Sequence, residues 1–192
     1  MWDRLWRTIR LLARAPRWKL ADRRSRERFN HLFYREYAGL NRRWLEGQAE
    51  SLFREFLQPR MFSGVPTLVE QNRREGIRPV LVTGSLDFAV APVVRSLGFD
   101  EVLANSLEFR DDVATGHLVP PVLAGEEKVR QILRLCEQHG ISPVLCRAYS
   151  DDTSDLPMLE AVGHPTAANP KPGLRVIAAS RGWPILDLRG TA

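Results

Sequence analysis

The feature that most constrains this chain is a change of rhythm near residue 64. Beyond it, short unbroken apolar runs alternate with stretches of helical spacing. "RPVLVTG" (78–84) and "PVLCRAYS" (143–150) are continuous apolar runs of strand length. A run that is apolar on both faces has to be covered on both faces, as in the interior of a parallel sheet. "VPTLVEQNRREG" (65–76), with Pro near its start and Gly at its end, reads as a helix. So do "LDFAVAPVVRSLGF" (86–99) and "GEEKVRQILRLCEQHG" (125–140). "EVLANSLEF" and "VATGHLV" read as two strands around the "RDD" turn at 110–112. "LPMLEAVG" (156–163) is a short helix with Ser154 or Asp155 as its cap. "PTAAN" (165–169) and "WPILDL" (183–188) are strands around the helix "GLRVIAASRG". Strands alternating with helices predict an α/β fold with a parallel sheet, whose ligands bind at the carboxyl ends of the strands.

The front of the chain is helical and basic. From 24 to 57, Phe29, Leu32, Phe33 and Tyr37 form one apolar stripe. Trp44, Leu45, Leu52, Phe53 and Phe56 form another, and Gly39 breaks the helices between them. Both stripes are expected in the core. Leu5, Trp6, Ile9, Leu12 and Ala13 give residues 3–14 helical spacing. Trp2 and Trp6 beside Arg4, Arg7 and Arg10 would suit a membrane surface, but the same stripe also suits packing on the protein. Residues 1–60 hold 15 Lys/Arg against 7 Asp/Glu. Such a surplus attracts anions. No zinc-finger spacing or aromatic-interleaved basic strand marks a nucleic-acid module, so no nucleic-acid partner is expected. No apolar run reaches the roughly 18–20 residues of a membrane span, so stable insertion is not expected. The start lacks a secretory h-region and cleavage site. Cys136 and Cys146 show no CxxC or metal spacing, which suggests a reducing, cytoplasmic setting. Oligomeric state is not legible.

Two sites lie at predicted strand ends, "TGS" (83–85) and "SDDTSD" (150–155), with Lys128 near the start of the helix between them. A hydroxyl and backbone N–H groups at Thr83 and Gly84 suit a phosphoryl oxygen. Lys128 suits the charge of a transferring phosphoryl group. Asp151 suits Mg²⁺, which takes one or two carboxylates with water and phosphate. Asp155 suits a supporting place, orienting Lys128 or a metal-bound water. Each has a plainer reading: a β-branched strand residue, a solvated helix charge, a turn or cap residue. Ser85, Asp152 and Asn169 are weaker candidates.

These stretches resemble the haloacid dehalogenase (HAD) superfamily, in its phosphoserine-phosphatase-like branch with a helical cap. The matching segments are "VLVTGSLDF", "GEEKV", "AYSDDTSDLPMLEAVGHPTAANPKPGLRVIAASRGWPIL" and the cap-like "RERFNHLFYREYAGL". The resemblance implies a Rossmann-like parallel core over 63–192, a helical cap over 21–62 and a leading amphipathic helix over 1–20. It implies a Mg²⁺-dependent phosphomonoesterase of a small phosphorylated metabolite. Thr83, helped by Gly84, would contact the phosphoryl group, and Lys128 would be the catalytic lysine. Asp151 would ligate Mg²⁺ with Asp155 in support, and Asn169 would stand at the rim. Two residues depart from the pattern. Ser150 stands where the family has Gly, and Asp152 where it has a small residue. The extra carboxylate points to solvent or competes for metal, and the sequence leaves both open.

The larger departure is in front. The family's nucleophile is the first Asp of an Asp-x-Asp motif ending the first core strand. This chain contains no Asp-x-Asp, and before Asp87 its only aspartates are Asp3 and Asp22. In-line phosphoryl transfer needs a nucleophile that neither lysine nor metal replaces. The expectation is a fold lacking its first core strand, with two unpaired strand edges, inactive as written. Either the protein begins upstream of this start, or it is a pseudoenzyme that binds without cleaving.

Overall fold

The computed structural model of the protein describes residues 26–190. The leading helix expected over 1–20 lies outside them. Helix α1 (Arg26–Tyr34) ends in a 3-10 turn, and the chain reverses at Gly39, whose φ of 81° suits glycine. Helix α2 (Arg42–Leu52) starts on Asn41, whose side chain accepts from Trp44 N at 3.3 Å. It runs on into a π turn over Phe53–Leu57. In the first stripe Phe33 and Tyr37 are half-buried, and the buried ring is Tyr34 beside them; the three meet edge to face at 5.3–6.0 Å. The second stripe is narrower than its pattern. Leu45, Ala49 and Phe53 are buried, whereas Trp44, Leu52 and Phe56 are about half exposed. A helix covered on one side buries its i, i+4, i+8 line and leaves the flanks wet.

The strands form two separate three-stranded sheets. In the first, β1 (Val80–Leu86) pairs parallel with β2 (Glu101–Arg110), which pairs antiparallel with β3 (Val113–Val119). The β2–β3 turn has Asp111 and Asp112 at positive φ, the conformation that tight hairpins demand. In the second sheet, β4 (Arg147–Ser150), β5 (His164–Ala168) and β6 (Ile185–Leu186) are all parallel. Among the described residues, β1 and β4 each keep one edge without a ladder partner. Helix α4 (Asp87–Leu97) joins β1 to β2, and α5 (Glu126–Gln138) joins β3 to β4. Helices α6 (Leu156–Glu160) and α7 (Pro172–Arg181) flank β5.

The core is divided in the same way. Tyr34, Leu45, Leu86, Leu107, Ala114 and Leu118 cluster between the front helices and the first sheet. Ala148, Met158, Leu159, Ala167, Leu174 and Ala178 cluster around the second. Val82 of β1 packs against this second cluster, so the halves meet through side chains. Helix α3 (Gly64–Arg74) adds a polar bridge. Its buried Asn72 donates to Leu68 O at 2.8 Å and accepts from Arg147 Nη1 at 3.1 Å and Tyr149 OH at 3.3 Å. No helix among the described residues is long and apolar enough to cross a membrane.

The strand expected over 143–150 begins only at Arg147, because Pro143–Leu145 forms a 3-10 turn. That turn lies on Gly163, whose N–H donates to Pro143 O at 3.1 Å. The two thiols face each other beside it, with Cys136 Sγ and Cys146 Sγ 3.6 Å apart. Burial and the neighbouring Cys136 push the Cys146 thiol up to about 11. A Cβ on Gly163 would collide with the Val144 carbonyl. Gly163→Ala should therefore cost about 1–3 kcal/mol, the usual range for overpacking, read as a lowered urea midpoint with unchanged slope.

Candidate active site

The loop after β4 is built around Asp155. Its Oδ1 accepts from Lys128 Nζ at 2.6 Å and its Oδ2 from Ser150 Oγ at 2.9 Å. The Lys128 and Asp155 side chains are only 14% and 19% exposed, so this pair is shielded more than a surface ion pair. Asp155 occupies the cap position of α6, but its side chain makes no cap bond, because Lys128 and Ser150 hold both oxygens. Ser150 is buried and also accepts from Asp152 N at 3.3 Å.

Asp152 neither points freely to solvent nor stands open to a metal. Its Oδ1 accepts from Ser154 N at 2.8 Å, capping the 3-10 turn Thr153–Asp155, and its Oδ2 accepts from Lys171 Nζ at 2.7 Å. The Lys171 ammonium and then the Ser154 amide lower the Asp152 carboxyl to about 2. Asp151 is left exposed, its carboxylate 3.7 Å from Lys171 Nζ and its carbonyl accepting from Lys171 N at 2.8 Å. It lines a cleft of about 460 Å³ with Phe62, Asn169, Lys171, Leu188 and Arg189. Asn169 shapes that rim, with φ at 45° and Oδ1 accepting from Leu188 N at 2.8 Å. The fit to Mg²⁺ is partial. Asp151 offers one exposed carboxylate, which is ion-paired with Lys171, and no group of three or more His, Cys, Asp or Glu among the described residues is placed to hold an ion. These residues alone do not complete a magnesium site.

Thr83 does not end its strand. It stands mid-β1, where the ladder to β2 breaks between Val82 and Leu86. Freed from the ladder, Thr83–Ser85 bulges within β1: Ser85 N donates to Thr83 Oγ1 at 3.1 Å, which leaves the hydroxyl proton for a further acceptor. The Gly84 carbonyl accepts from Asn105 Nδ2 at 2.8 Å and Tyr34 OH at 3.1 Å. Asn105 is 1% exposed, and its Oδ1 accepts from Leu123 N at 2.7 Å. Asn105 thus ties the Gly84 bulge to Leu123, five residues ahead of Lys128, which pairs with Asp155, itself accepting from Ser150. Sequence reasoning missed Asn105, Tyr34 and Lys171. The available signal for the first was an amide in the middle of the strand "EVLANSLEF".

Asn105→Leu strips Leu123 N of its buried partner and Gly84 O of one of two. Equilibrium unfolding should show a loss of about 2 kcal/mol. The Asp152 pair predicts an acid dependence. A carboxyl lowered from 3.8 to about 2 contributes stability above its unfolded value, and that contribution disappears as pH falls from about 4 to 2. After allowance for solvent screening it amounts to on the order of 1–2 kcal/mol. Asp152→Asn should flatten the stability profile across that window.

Comparison with known proteins gives three likenesses and one family match. A family model for haloacid dehalogenase-like hydrolases matches residues 1–160. A probable phosphatase of Mycobacterium tuberculosis is 37% identical over 148 residues, 75% of this chain and 51% of that one. A phosphoserine phosphatase of the same species is 33% identical over 140 residues, 73% of this chain and 46% of that one. A crystal structure of a protein of unknown function from Bordetella pertussis matches with a TM-score of 0.82 and 30% identity, over 97% of this chain and 83% of that one. The chain spans about half the length of the curated relatives it matches.

Proposed function

Because the chain belongs to the haloacid dehalogenase-like hydrolase family, in its phosphoserine-phosphatase-like branch, we propose that it carries the phosphate-holding half of a phosphomonoesterase site. The ligand is a small phosphorylated metabolite, and the helices of 21–62 serve as the cap over it. The observation that carries this reading is the state of Lys128. It is largely buried and fixed by Asp155, yet an ammonium has three donors and the pair uses one. A phosphoryl group within reach would take the others. The Thr83 hydroxyl would donate to a second phosphoryl oxygen, and Gly84 would let it approach the backbone. Asp151 would provide one ligand to Mg²⁺, which would neutralise phosphoryl charge when bound. The carboxylate that attacks phosphorus is not among these residues, since the chain holds no Asp-x-Asp. A strand laid along the open edges of β1 and β4 is the natural carrier for it.

A second reading, a binding protein without turnover, is favoured by that same missing motif. Calorimetry and a hydrolysis assay test the phosphate site that the two readings share. The 192-residue protein with Mg²⁺ should bind orthophosphate, and Lys128→Ala should weaken binding by roughly 10- to 100-fold, the worth of one charged hydrogen bond. It should not turn over p-nitrophenyl phosphate. Turnover that Asp151→Asn abolishes would overturn the binding reading. Absence of orthophosphate binding would overturn both.

A further inference from the structure

Asn30 is 4% exposed, and among the described residues its Nδ2 is buried without a hydrogen-bond partner. An amide donor left in this state is unfavourable and uncommon in a folded protein. Its position suggests the missing partner. Asn30 lies one helical turn before Tyr34 on α1, so the two side chains share a face. Tyr34 OH reaches the Gly84 carbonyl, and Asn30 Nδ2 would lie 3.7 Å from a Cβ built on Gly84. The amide therefore overhangs the Thr83–Gly84 bulge where glycine has no side chain. The Gly84 carbonyl is not what it lacks, because Asn105 and Tyr34 already serve it. The atom is a donor, so it calls for an acceptor such as an anion's oxygen.

We propose that Asn30 is a ligand-contacting residue, whose Nδ2–H donates to a phosphoryl oxygen of a phosphate monoester held at the Thr83–Gly84 bulge. This rests on the phosphate-site reading above. It adds a neutral donor from α1 to a site whose charged donor, Lys128, comes from α5. A bound phosphate would satisfy the orphaned amide and hold α1 onto β1.

The test is paired measurement of orthophosphate affinity and unliganded melting temperature, in the 192-residue protein with Mg²⁺. Asn30→Leu removes the buried donor at similar size. It should leave the unliganded melting temperature unchanged or higher, weaken orthophosphate binding roughly three- to tenfold, and shrink the melting-temperature rise that phosphate gives. Asn30→Ala should show the same loss of affinity if Leu proves too large for the site. Wild-type affinity in both variants overturns the proposal and leaves the phosphate site standing. So does a fall in unliganded stability that accompanies the loss of affinity, since it marks a structural amide. Failure of the unaltered protein to bind orthophosphate removes the site reading itself, and this inference with it.

Discussion

A strand edge is a row of N–H and C=O groups that must find partners, and among the described residues β1 and β4 each keep such a row open. The division of the sheet between β1 and β4 governs the rest of the structure. With no ladder across it, the halves are joined by Val82 reaching the second core and by Asn72 holding Arg147 and Tyr149. The site residues lie on both sides of this division. Thr83 and Gly84 belong to one half, Ser150, Asp151 and Asp155 to the other, and α5 carries Lys128 across.

Within the second half, charges are sorted by hydrogen bonding. Three carboxylates lie within five residues, and crowded carboxylates would repel one another if all stood free. Asp155 is bound to Lys128 and Ser150, and Asp152 to Lys171 and the Ser154 amide. Asp151 is the exposed one of the three, with its carboxylate 3.7 Å from Lys171 Nζ. The two residues that depart from the family pattern are accommodated in the same network. Ser150 gives Asp155 a second partner, and Asp152 has a lysine of its own.

Much of the fold was legible because buried parallel strands leave unbroken apolar runs and the helices between them leave amphipathic ones. The order of strands and helices from residue 64 follows that rhythm closely. What was not legible depends on three-dimensional register. Thr83 reads as a strand end, yet it sits in a ladder break that only the pairing with β2 creates. Trp44, Leu52 and Phe56 match the spacing of a buried stripe, but packing on one side leaves them half exposed. At the site, Lys128, Asp151 and Asp155 stand out through their residue types and the family resemblance. Asn105, Tyr34, Asn30 and Lys171 do not, because each acts through a partner remote in sequence. A polar residue in an apolar strand or stripe signals that a partner exists without naming it.

The bridge at Asn72 also bears on the order in which the chain folds. Val80 pairs with Glu101 in one half, and Arg147 with His164 in the other, so each half closes short loops first. The Asn72–Arg147 hydrogen bond joins residues 75 apart. Closing that loop before either half exists would sacrifice chain entropy for a single polar contact. The two halves should therefore form as separate nuclei, and the joint between them at Asn72 should close last.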